Sequence, residues 1–165
     1  MRKMTWTWMF CAALVLGLVA APLLAPSTEA EDSNADKERG DAALYAVGSI
    51  SAADLLTTYI FIGSMGDSFA RKGHNKEQVQ KLIKPRANLN GKGAQALARL
   101  MDKPGMTLGD KTHLAGVNEA YELLTKYANA LIAMTEAQTP ENAKAFDTHR
   151  KAAWAKISSV LGIEK

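Results

Sequence analysis

The segment TLGDKTHLAGVNEAYELLTKYANALIAMTEAQTP, residues 107–140, carries a complete helix with both ends marked. Thr107 with Asp110 three residues later is a capping-box pattern, in which hydroxyl and acid each satisfy a backbone N–H that a helix start leaves open. Leu114, Val117, Tyr121, Leu124, Ala128 and Leu131 then recur every three or four residues, a single apolar stripe close to a heptad seam. The pattern runs to about Ala137, where Thr139-Pro140-Glu141 supplies an N-cap, a first-turn proline and an early acid for the next helix. Helices joined by so short a turn are antiparallel neighbours.

Outward from this pair the same punctuation repeats. The fourth helix is expected over 140–161, closed by Gly162, with Ala143, Phe146, Ala153, Trp154, Ile157, Val160 and Leu161 inward. The second, over 76–103, opens at Asn75 with Gln78, ends before Pro104-Gly105 and offers Val79, Leu82, Ile83, Leu89, Ala96, Leu97 and Leu100 as its core face. Pro85 lies inside it and removes a backbone donor, which predicts a kink or a break. The first helix, over 34–72, is capped by Ser33 with Asp36 and stopped by Gly73. No segment alternates with period two long enough for a strand, so the expectation is an all-α, up-down-up-down four-helix bundle.

Before the bundle, Arg2 and Lys3 precede an uncharged apolar run from Trp8 to Ala25 and a small polar stretch ending Thr28-Glu29-Ala30. This is the pattern of a secretory signal peptide over 1–30, with cleavage after Ala30, an uncleaved membrane anchor being the alternative. The single cysteine, Cys11, lies within the leader, so residues 31–165 form one thiol-free domain stabilised by core packing alone. Charged residues make up 22% of the chain and the net charge is +3, which excludes a disordered polyelectrolyte and gives no basic face for nucleic acid. The protein is therefore expected to be exported, to the periplasm or the extracellular space.

Helix one carries more apolar surface than one face can bury. Leu44, Val47, Leu55, Tyr59, Ile62, Met65 and Phe69 form an inner arc, yet Ile50, Leu56, Ile60 and Phe61 fall outside it. Such a helix is either wrapped by its neighbours or covers a partner, a second copy or another envelope protein, and these four residues are the candidate interaction face. Asp54 argues against stable membrane insertion of residues 42–66, since an acid at the bilayer centre is costly.

Arg150 falls inside the apolar arc of helix four. Either its stem snorkels to the rim or it is a cation placed for an anionic group, at a level that the loop lengths set near Gly63 of helix one. Arg150, Tyr59, Trp154 and Tyr121 are the candidate ligand-pocket residues. His74, His113 and His149 do not converge, no Glu-x-x-His pair occurs, and neither a phosphate loop nor a nucleophile elbow is present. No metal, cofactor or catalytic residue is expected, and the chain is read as a non-enzyme.

An exported chain of four antiparallel helices resembles in architecture the small periplasmic cytochromes, cytochrome c-prime and its b-type relative. Their haem is held by a histidine near the end of helix four, within Cys-x-x-Cys-His in the c-prime case. The corresponding run from Arg150 to Ile157 has neither cysteine nor histidine, and His149 comes too early. The expected function is accordingly that of a structural or interaction protein of the cell envelope, with a small-ligand or cofactor carrier near Arg150 as the alternative.

Overall fold

The computed structural model describes residues 29–163, with side chains from residue 37 onward. The proposed leader, its cleavage site and Cys11 lie outside the described residues or their side chains. The chain divides into two compact units, residues 1–38 and 39–165. Within the first, residues 29–38 are helical; the second holds the bundle described below.

Four helices occur in chain order: α1 (Glu29–Ala70), α2 (Lys76–Met101), α3 (Leu108–Glu136) and α4 (Pro140–Leu161), with no strand among the described residues. Three of the starts are built from the residues that announce them. Asn75 accepts the Gln78 backbone N–H at 2.9 Å while the Gln78 side chain accepts the Asn75 N–H, and Thr107 and Asp110 form the same reciprocal pair. Thr139 caps α4 ahead of Pro140. Such caps each contribute about 1 kcal/mol. The start of α1 differs from expectation, because the helix already runs through Ser33.

The end of α1 also differs in detail. Lys72, not Gly73, takes the left-handed conformation with φ 61°, and the Gly73 N–H reaches back to the Ser68 carbonyl at 2.8 Å. Glycine at 73 allows the close approach: a Cβ there would lie 2.7 Å from the Ser68 hydroxyl oxygen, which would have to move. At the end of α4, Gly162 is left-handed as its position suggests.

Contacts across the bundle fix the up-down-up-down arrangement. Asp54 of α1 meets Arg86 of α2, and Gln80 near the start of α2 donates to Thr135 near the end of α3 at 3.0 Å. Tyr127 of α3 packs against Phe146 of α4. The α1–α4 contact closes the ring, Gly66 lying so close to the Phe146 ring that a Cβ would come within 2.7 Å of it. The core comprises Leu55 and Ile62 of α1, Val79, Ile83 and Leu97 of α2, Ala153 and Ile157 of α4, and the whole expected stripe of α3.

Helix α2 departs most from its sequence reading. It is continuous through Pro85, with no break. Pro85 and Lys81, whose carbonyl loses its usual donor, are both exposed residues, while Ile83 and Ala87 are anchored in the core. Its buried face is Val79, Gln80, Ile83, Ala87, Asn90, Ala94 and Leu97, whereas Leu82, Leu89 and Ala96 are exposed. On this buried stripe Thr135 and Glu136 of α3 provide the polar partners that Gln80 needs. In α4, Ala143 and Trp154 are likewise exposed rather than inward.

Candidate functional site

One polar-lined cavity of about 450 Å³ opens between α1, α3 and α4. Tyr59, Gly63, Asp67, Tyr127, Phe146, Asp147 and Arg150 line it. Its floor is a run of tilted aromatic rings, Trp154 on Tyr59 at 5.2 Å between centroids, Tyr59 on Tyr127 at 5.7 Å and Tyr127 on Phe146 at 4.9 Å. Tyr127 is fully buried and its hydroxyl has no hydrogen-bond partner. Gly63 packs against it: a Cβ there would lie 3.3 Å from that oxygen, a tight contact. Burial foremost, and then the neighbouring Tyr59 phenol, push the Tyr127 pKa well up; burial also raises that of Tyr59, against the opposing pull of Arg150.

Arg150 is exposed at the mouth rather than enclosed in the apolar arc. Its Nε and Nη2 both donate to Asp147 Oδ1, at 3.2 and 2.7 Å, and Lys151 pairs with Asp147 Oδ2 at 2.6 Å. These bonds, Lys151 first and Arg150 second, hold the Asp147 carboxyl below the usual range, and Asp147 in turn raises Arg150. The long stem reaches the rim, which is the snorkelling geometry.

Of the four pocket candidates, Tyr59 and Arg150 line this cavity and Trp154 stacks behind Tyr59. Tyr121 lies elsewhere. It is six residues before Tyr127, about 240° around the helix, and donates to Asp54 Oδ2 at 3.0 Å. Asp54 Oδ1 takes the Arg86 guanidinium, which also donates to Thr58, so α1, α2 and α3 are joined by one half-buried polar cluster. Burial, and then the Asp54 charge, push the Tyr121 phenol up to about 12. On α2, Asn90 is 1% exposed, and neither of its amide atoms has a hydrogen-bond partner among the described residues. Sequence reading missed Arg86; the signal was there, since an acid at position 54 within an apolar run calls for a cation from a neighbouring helix.

Of the four residues of the expected interaction face on α1, two are exposed. Ile50 and Ile60 are 70% and 61% exposed, while Leu56 and Phe61 are half-buried against the core. Leu82 and Leu89 of α2 add to this face, lining with Thr57, Phe61 and Pro85 a groove of about 370 Å³. A broader trough of about 530 Å³ beside the start of α3 is lined by Leu44, Tyr45, His113 and Leu161 among others. The stretch Lys37–Ala70 is long and apolar enough to cross a membrane by length and composition, and 22% of its most apolar 18 residues are buried in the fold.

Neither a protein-family model nor a curated protein nor a solved structure matches the chain. Chemistry must therefore be argued from the residues. Among the described residues no group of three or more His, Cys, Asp or Glu could hold a metal ion. His74 bonds Ser68 at 2.5 Å in the α1–α2 turn, and His113 lies over Gly48, far along the bundle from it.

Proposed function

We propose that this chain is an exported, non-enzymatic bundle protein of the cell envelope that binds a partner protein through the face centred on α1. One observation supports the reading above others. Of the eight large hydrophobic side chains exposed among the described residues, six (Tyr45, Ile50, Ile60, Leu82, Leu89 and Trp154) lie on α1 or on the sides of α2 and α4 that adjoin it. Scattered exposed apolar residues are ordinary, but a gathered patch of this kind is characteristic of an interface.

Charge narrows the partner. Helix α2 carries Lys76, Lys81, Lys84, Arg86, Lys92 and Arg99 against Glu77 alone, and Lys81, Lys84, Lys92 and Arg99 are exposed. An apolar face with a basic flank fits a partner whose contact surface is apolar with an acidic edge, and a second copy of this chain, equally basic along α2, fits less well.

Photo-crosslinking amino acids at Ile60 and Leu89, introduced into the chain in its native envelope, test this. A discrete adduct with one protein is expected, and that protein, once purified, should bind the wild-type chain and fail to bind Leu82→Glu/Leu89→Glu. Equal labelling from Lys126 on the far side, an adduct only with itself, or partition onto anionic vesicles in place of a protein would refute the proposal.

A further inference from the structure

The cavity beside Arg150 has a chemistry of its own, although Ile60 of the apolar face is among its lining residues. Its floor is aromatic, it is lined by one cation, Arg150, and two carboxylates, Asp67 and Asp147, and a hydroxyl buried behind its wall lacks a partner among the described residues. Asp147 is already neutralised from both sides by Arg150 and Lys151, so it offers little to a ligand. Arg150 binds it through Nε and Nη2 only, which leaves the Nη1 edge of the guanidinium with free donors. Asp67, exposed on the opposite helix, has no hydrogen bond or ion pair to its carboxylate among the described residues. A guanidinium favours a carboxylate, which it can grip with two parallel bonds, and a lone carboxylate favours an ammonium group.

We propose that this cavity binds a small zwitterion with a planar side chain, of the aromatic amino acid class. The ligand carboxylate meets Arg150, its ammonium meets Asp67, and its ring lies against Tyr59 and Phe146. The volume, about 450 Å³, is in the range of small-molecule sites and exceeds that of one such molecule. A ligand bearing only a carboxylate would face the unopposed Asp67, and one bearing only an amine would face Arg150. Selectivity for the doubly charged form follows from that opposition.

Titration calorimetry on the full chain with L-phenylalanine, L-tyrosine and L-tryptophan, and with 3-phenylpropionate and 2-phenylethylamine, tests the assignment. At least one amino acid should bind, and each singly charged analogue of phenylalanine should bind about tenfold more weakly or worse, the loss of one charge-assisted contact. Arg150→Gln should abolish the advantage of phenylalanine over the amine, and Asp67→Asn its advantage over the acid. Both residues are exposed, so both variants should keep the wild-type helical signal. Absence of heat with all three amino acids at millimolar concentration, equal binding of the analogues, or binding unchanged in both variants would overturn it.

Discussion

Replacing Arg86 by methionine keeps most of the stem and removes the cation that joins α1 to α2. Asp54 would keep only the Tyr121 hydroxyl, and Thr58 would lose its donor. Removing one partner of a fully buried ion pair costs about 3–5 kcal/mol, while exposed pairs contribute about 0–1 kcal/mol. Here the two side chains are 23% and 36% exposed, so an intermediate cost of about 2 kcal/mol is expected. At about 2–4 °C per kcal/mol for a domain of this size, the melting midpoint should fall by about 4–8 °C. Thermal and urea unfolding followed by circular dichroism would measure it, with Asp54→Asn and the double variant completing a cycle. The double variant should be less damaged than the sum of the singles, by about 1 kcal/mol or more. Strict additivity, or a single-variant loss below about 0.5 kcal/mol, would refute the argument that this cluster fixes the packing of α1 on α2.

Other expectations follow from the same interior. Asn90→Leu replaces two unbonded amide atoms by methyl groups on the same branching pattern and should stabilise the bundle by about 1–2 kcal/mol in urea unfolding; a loss of stability would show that the amide is satisfied. Gly66→Ala forces a methyl against the Phe146 ring and should destabilise by about 1–3 kcal/mol, with a loss of near-ultraviolet aromatic signal. The Tyr121 and Tyr127 phenols are raised above their unfolded value of 10.0, so their contribution to stability is complete below pH 10.0 and is lost as pH rises through the folded values. Absorbance at the phenolate band should accordingly show Tyr59, Tyr121 and Tyr127 titrating late, Tyr121 near 12, accompanied by loss of helix; early reversible ionisation of all tyrosines would contradict their burial.

The readable parts of this sequence were those whose causes are local. Asn75 with Gln78, Thr107 with Asp110, and Thr139 with Pro140 act within one helical turn, so their roles need no tertiary knowledge. The α3 stripe was equally plain, because α3 touches α1, α2 and α4 through one continuous apolar arc. Helix α2 offered two competing stripes, and hydrophobicity favours the one through Leu82 and Leu89. The stripe that is buried carries Gln80, which bonds to Thr135 and Glu136, residues that lie 55 and 56 positions away. Arg150 could be placed near Tyr59 and Gly63 from loop lengths, but whether its head was enclosed depended on its pairing with Asp147. Tyr121 and Tyr127 shared a helix and a residue type, and only their angular separation distinguishes the α1–α2 side from the α1–α4 side.

Pro85 has a consequence for recognition as well as for helix geometry. Lacking an N–H, it leaves the Lys81 carbonyl without its usual intrahelical donor, and it does so on the exposed side of α2 along the groove shared with Phe61. Apolar surfaces attract without regard to direction, and a partner could slide along one. A main-chain oxygen left without its donor accepts from one direction only, and would give a partner docked along that groove a defined register.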